Sequence, residues 1–153
     1  MATTTKTRTN YVHITDLSRF EKIVSKAHVR NKHKIHIISH NEGNETLYGF
    51  YSEDEIYGFP VNDTNSEPNT DDEDVDYNVQ HSRLSFINAL KTVIKPGDAL
   101  VITTISSEEM NYLYAETDII TCDDYRYLCI EDVAMNEAVK MLHNPNWTTR
   151  NSY

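Results

Sequence analysis

The sequence predicts a single α+β domain in which a mixed sheet of about five or six strands packs against roughly three or four helices. Its 153 residues fit one domain and are enough to bury an ordinary core. Short β-branched or aromatic runs alternate with stretches whose apolar residues recur every three or four positions, the patterns of strands and amphipathic helices. A three-layer α/β arrangement is the alternative, because the pattern does not give the strand order.

The N-terminal region predicts an arm, a strand and a helix. Residues 1–9 combine cations with hydroxyl side chains, a composition typical of a disordered basic arm. The run NYVHIT at 10–15 predicts the first strand. Apolar residues then recur at helical spacing, so we expect a helix over about 16–28 with Thr15 or Asp16 as its N-cap.

The middle of the chain predicts a hairpin and then a long loop. KIHIIS at 34–39 and TLYGFYS at 46–52 are strand-like and flank the turn sequence NEGN. A second aromatic piece at 57–59 predicts one more short strand. Polar residues dominate from 60 to 80, which predicts a loop long enough to be functional or disordered.

The next segment predicts two helices around a central strand. Ser82 can cap a helix that ends before Pro96. The apolar run ALVITTI at 99–105 predicts a central strand buried on both faces. Ser106 and Glu109 form a capping-box pattern, which predicts a short helix ending at about residue 116.

The C-terminal region predicts two strands, a helix and a tail. DIITC at 118–122 and YRYLCI at 125–130 are strand-like, and a last helix begins at Asp132. This helix carries Ala134, Ala138, Met141 and Leu142. The folded domain is therefore expected to cover 10–143, with a tail at 144–153.

The cysteine and hydropathy patterns predict a cytoplasmic protein. On a pair of strands joined by a turn, Cys122 and Cys129 would lie about 13 Å apart, beyond the reach of a disulfide, so we expect free thiols. The chain has no apolar run of membrane-spanning length and no secretory signal at its N-terminus, so we expect no membrane contact.

Charge is distributed unevenly along the chain. Residues 1–34 contain eight Lys or Arg and two Asp or Glu. Residues 35–82 contain no Lys or Arg and twelve Asp or Glu, and residues 83–153 contain six Lys or Arg and ten Asp or Glu. A solvated loop would explain the acidic middle. Because tyrosines are interleaved with its carboxylates, we instead expect a surface that binds a basic protein partner. The expected contact residues are Glu53, Asp54, Glu55, Tyr57, Asp71, Asp72, Glu73, Asp74, Asp76 and Tyr77.

This charge pattern predicts a non-enzymatic protein-binding module or inhibitor, such as a nucleic-acid mimic of viral or mobile-element origin. The alternative is a small enzyme acting on nucleotides or nucleic acid. His13 and Thr15 supply half of a paired His-x-Thr arrangement for phosphoester chemistry, in which one histidine is the base and another the acid. The second half is missing, so we assign no catalytic residue and keep His13, Thr15, His36 and His40 as the alternative set.

Metal and cofactor binding are not expected. His36 and His40 on one strand would lie about 13 Å apart, too far to chelate an ion as a pair. The acidic run from Asp63 to Asp74 has EF-hand-like spacing, but Pro68 replaces the glycine that the loop needs. No glycine-rich phosphate loop is found in the sequence.

The basic N-terminal region suggests nucleic-acid binding as a third function class, with Tyr11 or His13 near the bases. Its cations are Lys6, Arg8, Arg19, Lys22, Lys26, Arg30, Lys32 and Lys34. The net charge of -10 repels a polyanion unless the fold separates the charged faces, so nucleic acid is not the expected partner. The sequence does not give the oligomeric state, although it allows a homodimer.

Overall fold

The computed structural model describes residues 4–61, 80–108 and 112–147, which confirm the predicted α+β class. The strands are β1 (Thr4–Thr9), β2 (His28–Val29), β3 (Ile35–Glu42), β4 (Glu45–Ser52), β5 (Ile56–Pro60), β6 (His81–Ser82), β7 (Leu100–Glu108), β8 (Tyr112–Ile120) and β9 (Tyr125–Cys129). The helices are α1 (Leu17–Lys26), α2 (Arg83–Lys91) and α3 (Ile130–Leu142), with a short 3-10 turn at Arg30–Lys32.

The large sheet has six strands in the order β3-β4-β1-β7-β8-β9. Every neighbouring pair in it is antiparallel, so the described chain does not contain the predicted mixture of parallel and antiparallel strands. A smaller sheet has the order β2-β5-β6 and is also antiparallel.

The predicted disordered arm at 1–9 is wrong for Thr4–Thr9, which form an interior strand of the large sheet. β1 pairs with β4 on one side and with β7 on the other. Its threonines at alternate positions are buried, whereas Lys6 and Arg8 are exposed. Polar composition concealed this period-two alternation, which is the signature of a strand with one face buried.

Helices α1 and α2 begin at their predicted caps. The Asp16 carboxylate accepts a hydrogen bond from the Arg19 backbone N–H, and the Ser82 hydroxyl accepts one from the Ser85 backbone N–H. Both helices bury apolar side chains against one face of the large sheet. The core includes Phe20, Phe50, Phe86, Leu90, Leu100, Ile102 and Ile120.

The small sheet lies with these helices on the covered side of the large sheet. Ile56 of β5 is part of the core cluster, and the ring of Phe59 packs edge to face on Phe86 of α2, with centroids 5.6 Å apart. The two ends of the predicted loop at 60–80 meet here, because the Val61 N–H donates to the Gln80 carbonyl at 2.7 Å. Residues 62–79 lie outside the described part of the chain.

The hairpin predicted around NEGN is confirmed. Glu42 and Glu45 pair directly across the turn formed by Gly43 and Asn44. Gly43 has φ of +63°, which glycine adopts readily, as in the first position of type II′ hairpin turns. The strand predicted at 10–15 is reduced to two isolated bridges.

Two predictions for the segment 99–116 are wrong. β7 alternates between buried and accessible residues, so it buries one face and not both. The described residues of the helix predicted to begin at Ser106 are strand, because β7 continues to Glu108 and β8 begins at Tyr112, and Ser106 pairs with Tyr114. Pairing with neighbouring strands outweighed the local capping-box signal, because backbone N–H and C=O groups have to be hydrogen-bonded in the folded state.

The predicted last helix is present as α3 and begins at Ile130, two residues before the predicted start. In α3, the side chains of Met141 and Leu142 are 79% and 54% exposed. The two cysteines are free, as predicted. Among the described helices, none is long and apolar enough to cross a membrane.

Candidate ligand-binding face of the large sheet

The large sheet has one face covered by α1 and α2 and one face turned to solvent. Successive side chains of a strand alternate between the two faces, and directly opposed residues of an antiparallel pair share a face. We call the solvent side the open face. Its exposed or half-buried residues are Thr4, Lys6, Arg8, His36, Ile38, His40, Glu42, Glu45, Tyr51, Val101, Thr103, Ile105, Ser107, Leu113, Ala115, Thr117, Ile119, Arg126 and Leu128.

One row of the open face crosses all six strands. The strand registers place side by side His36, Tyr51, Arg8, Thr103, Thr117 and Leu128, in that order. The rings of His36 and Tyr51 stack, with centroids 4.9 Å apart and an interplanar angle of 26°. The row therefore begins with an aromatic pair, continues with a guanidinium group and ends with hydroxyl and aliphatic groups.

A second aromatic pair lies beside this row. Tyr11, which follows β1, packs against His40 of β3 with ring centroids 5.3 Å apart. Arg8 Nη2 donates a 3.4 Å hydrogen bond to the Tyr11 hydroxyl. One guanidinium group is therefore next to Tyr51 across the strand pair and in contact with Tyr11.

A cavity of about 390 Å³ lies on the open face between β1 and β7. Its lining residues are Lys6, Arg8, Thr9, Asn10, Val101, Thr103 and Ile105. The two cations stand beside the aliphatic surface of Val101 and Ile105. Apolar walls with a few polar groups are the usual composition of ligand sites, and this combination suits a flat ring that carries an anionic group.

The open face has two guanidinium groups that form no ion pair with the described part of the chain. Lys6 Nζ lies 2.8 Å from Glu53 Oε2, and this hydrogen bond raises the pKa of Lys6 and lowers the pKa of Glu53. Among the residues that the structure describes, neither Arg8 nor Arg126 forms an ion pair. An external anion can therefore bind to Arg8 or Arg126 without displacing an internal carboxylate.

The described part of the predicted acidic surface is engaged within the chain. Glu53 pairs with Lys6, and Asp54 is buried and accepts a 2.9 Å hydrogen bond from Asn31 Nδ2. Glu55 is half-buried, and desolvation together with the charge of Glu116 raises its pKa. These three carboxylates do not form a shared exposed surface.

Other predicted contact residues have mixed outcomes. The ring of Tyr57 packs on His81 with centroids 5.1 Å apart. The remaining predicted contacts lie outside the described residues, namely Asp71, Asp72, Glu73, Asp74, Asp76 and Tyr77. The acidic surface therefore remains a prediction for the segment between β5 and β6.

The four residues of the alternative catalytic set, His13, Thr15, His36 and His40, make separate interactions and do not form one site. His13 Nδ1 lies 2.8 Å from Asp98 Oδ2 and His13 Nε2 lies 2.6 Å from Glu45 Oε2, and these hydrogen bonds raise the pKa of the imidazole. The Thr15 hydroxyl donates to the Val93 carbonyl at 3.2 Å. Both ring nitrogens of His13 are therefore hydrogen-bonded to carboxylates, and the hydroxyl hydrogen of Thr15 is donated to a backbone carbonyl.

His36 and His40 lie instead in the aromatic pairs of the open face. No group of three or more His, Cys, Asp or Glu side chains in the described chain could hold a metal ion. No protein-family model, curated protein or solved structure matches this chain.

Sequence reasoning named Lys6 and Arg8 without placing them on a sheet, and it did not single out Arg126. The signal was available in TTKTRT, where hydroxyl residues and cations alternate over β1. Tyr51 was not singled out as a contact residue, because its importance depends on having His36 on one side and Arg8 on the other. That arrangement is set by strand pairing and not by any local motif.

Proposed function

We propose that this protein is a non-enzymatic cytoplasmic binding module whose open face binds single-stranded nucleic acid. The observation that supports it is the row in which Tyr51 lies between His36 and Arg8. Proteins that bind single strands stack bases on aromatic side chains and place cations along the phosphates. Duplexes hide their base faces, so a flat aromatic platform favours an unpaired strand.

Each part of the row has a physical role in this proposal. The His36 and Tyr51 rings offer stacking surface, and stacking contributes about 1–3 kcal/mol per base. Arg8 and Arg126 supply charge for phosphates. The hydroxyl groups of Thr103 and Thr117 can hydrogen-bond to sugar or phosphate oxygens.

The net charge of -10 repels nucleic acid, but this repulsion is weaker at the open face than the total charge alone would indicate. At physiological salt, exposed charges separated by more than about 8 Å are largely screened. Val61 and Gln80, which flank the acid-rich segment in the sequence, hydrogen-bond to each other on the covered side of the large sheet. These two flanking residues therefore lie on the side of the sheet away from the open face.

Replacing Tyr51 by alanine should weaken binding to a labelled single-stranded oligonucleotide by about five- to one-hundred-fold, because one stacking platform is lost. Replacing Arg8 by alanine should weaken binding and reduce the salt slope by about one. Fluorescence anisotropy over a salt series, with DNA and RNA probes in single-stranded and duplex form, measures both effects.

The matched control is Arg19→Ala, which removes an exposed cation from α1 on the covered side and should leave affinity unchanged. Thermal melts must first show that the variants fold like the original chain. Absence of binding to any single-stranded probe at low salt would overturn the proposal. Equal losses for Arg8→Ala and Arg19→Ala would reduce the interaction to non-specific charge attraction.

A second candidate function is the predicted docking of the acidic segment on a basic protein. It is favoured by the concentration of charge, since seven of the twelve acids in 35–82 lie between Asp63 and Asp76. Opposite charge speeds encounter with a partner and makes binding salt-sensitive. This candidate uses a different region from the open face, so the two can be tested separately.

Neutralising the acidic run should weaken binding of an oligolysine peptide by at least about tenfold at low salt and much less at high salt. The variant replaces Asp71, Asp72, Glu73, Asp74 and Asp76 by Asn or Gln. Isothermal titration at two salt concentrations gives the comparison. Unchanged affinity at low salt would remove this region as a docking surface.

A further inference from the structure

Strand β3 is an edge of the large sheet and, within residues 4–61, 80–108 and 112–147, presents a row of backbone groups that pair with no other strand. In the sheet order it has β4 as its one neighbour. Glu42 and Glu45 close the hairpin as directly opposed residues of a two-residue turn, and such a turn closes on a hydrogen-bonded pair. The backbone groups of Glu42 and of every second residue before it therefore point to β4.

The intervening residues point their backbone N–H and C=O groups away from the sheet. They are Ile35, Ile37, Ser39 and Asn41. Hydrogen bonds within the described chain do not engage these outward groups. Four residues in this phase can exchange about eight backbone hydrogen bonds with another antiparallel strand.

Edge strands in monomeric proteins are commonly blocked by proline, by a bulge or by a charge in the middle of the strand. β3 has none of these features. Its eight residues contain no proline and no Lys, Arg or Asp, and they pair with β4 without interruption. The side chain of Ile37 at its centre is 37% exposed, although it is on the helix-covered face.

We propose that a second copy of this chain occupies the β3 edge, in an antiparallel strand pair related by a two-fold axis at Ile38. This register places Ile37 opposite Ser39 of the second copy and Ile35 opposite Asn41 of the second copy. All four residues with outward backbone groups then form hydrogen-bonded pairs. Ile38 meets its own copy, and the two large sheets join into one.

Charge complementarity selects this register. Lys34 directly precedes β3 and lies opposite Glu42 of the second copy. The two-fold axis generates a second, identical Lys34–Glu42 pair. Both residues are exposed. A shift of two residues, which the direction of the backbone groups also permits, would place Lys34 opposite His40 or Asn44 and lose the ion pair. Opposite charges directly across a strand pair stabilise it, and like charges destabilise it.

The same register has a consequence for the open face. His36 lies opposite His40 of the second copy, so the aromatic pairs of the two chains become neighbours across the axis. The dimer would form one continuous open face with two Arg8 rows. This outcome goes beyond the binding function proposed above and does not depend on it.

The test is a charge swap measured by sedimentation equilibrium over a concentration series. The original chain should approach twice its mass of 17.7 kDa as concentration rises. Lys34→Glu and Glu42→Lys, made singly, should each weaken dimerisation by about tenfold, because each turns two attractions into two repulsions. The double variant should recover the original affinity.

Recovery is specific to the proposed register. Within one chain, Lys34 and Glu42 are eight positions apart on an extended strand, about 26 Å, too far to interact directly. Lys22→Glu on the exposed face of α1 is the matched charge control and should leave dimerisation unchanged. A second variant, Ser39→Pro, removes an outward N–H without breaking the pairing of β3 with β4 and should also weaken the dimer.

Three results would overturn the proposal. They are a chain that stays monomeric at its highest soluble concentration, a double variant that dimerises no better than the single variants, and a Ser39→Pro variant that dimerises like the original. Far-UV circular dichroism and thermal melts on each variant separate loss of dimer from loss of fold.

Discussion

Asp118→Asn is expected to lower the free energy of unfolding by about 3–5 kcal/mol. The Asp118 side chain has no exposure to solvent. It accepts hydrogen bonds from Arg83 Nε at 3.2 Å, from Arg83 Nη2 and from the Tyr125 hydroxyl. Asparagine keeps the shape but removes the charge, so the guanidinium of Arg83 loses its counter-ion in a half-buried position.

The arrangement of Arg83 explains why the loss is large. Its Nη1 donates to the Ile56 carbonyl at 2.8 Å, so one side chain links α2 to β5 and β8. Burial acts to lower the pKa of this guanidinium, but the charge of Asp118 and the hydrogen bonds to it hold the pKa above its ordinary value. Without the Asp118 carboxylate, the burial of the charge is offset by the smaller effects of Glu116 and Glu55 alone.

Urea unfolding followed by circular dichroism measures this effect, with an unchanged m-value as the sign that the two states are the same. Asp132→Asn at the exposed start of α3 is the matched control and should change stability by less than about 0.5 kcal/mol. A loss below about 1 kcal/mol for Asp118→Asn would mean that water or another group replaces the carboxylate.

Removing both charges is a second test of charge compensation between Arg83 and Asp118. A double variant with Arg83→Met and Asp118→Leu should be more stable than Asp118→Asn, because an apolar pair leaves no buried charge unpaired. If the double variant is the least stable, the network contributes through its geometry and not through charge compensation.

Elements with strong local signals were predicted correctly. Asp16 and Ser82 each precede an amphipathic stretch and cap α1 and α2, and the hairpin at Gly43 follows from its turn sequence. These features depend on interactions over a few residues, so the sequence contains all the information that they need.

Elements that depend on distant partners were predicted poorly. β1 has a polar composition and is an interior strand because β4 and β7 pair with it. The run after Ser106 has a helix-start signal and extends β7 because β1 and β8 continue beside it. Strand pairing over 40 to 100 residues leaves no local trace that could outweigh these signals.

The candidate site shows the same limit. Cations, histidines and tyrosines can be read from the sequence, and the predicted sites grouped them by position in the chain. The fold groups them differently, since His36, Tyr51 and Arg8 come from three strands and meet only through register. Arg83 and Asp118 are also 35 residues apart, and neither belongs to a motif.

Gly58→Ala should destabilise the fold by about 2–6 kcal/mol, the second large effect. Gly58 has φ of +117°, outside the left-handed helical region, and holding an alanine there costs about 1–3 kcal/mol. A Cβ built there would lie 2.5 Å from the Ser82 carbonyl oxygen and 2.7 Å from Arg83 Cα. These are backbone atoms that cannot rotate away, and such overpacking destabilises the fold by about 1–3 kcal/mol more.

Gly43→Ala separates the two contributions to this effect. Gly43 also has positive φ, at +63°, but its Cβ would meet no atom within 4 Å. It should therefore show the conformational cost alone, about 1–2 kcal/mol. Equal losses at the two glycines in urea unfolding would show that β6 and α2 move aside freely.

The clash at Gly58 also bears on the buried ion pair. β5 carries both Gly58 and the Ile56 carbonyl that Arg83 bonds, so pushing β5 away from Ser82 should loosen that contact. The two large effects should then be less than additive, because residues in one network share their energy. A double-mutant cycle of Gly58→Ala with Asp118→Asn measures this coupling, and strict additivity would show that the Arg83 network does not depend on how closely β5 packs against α2.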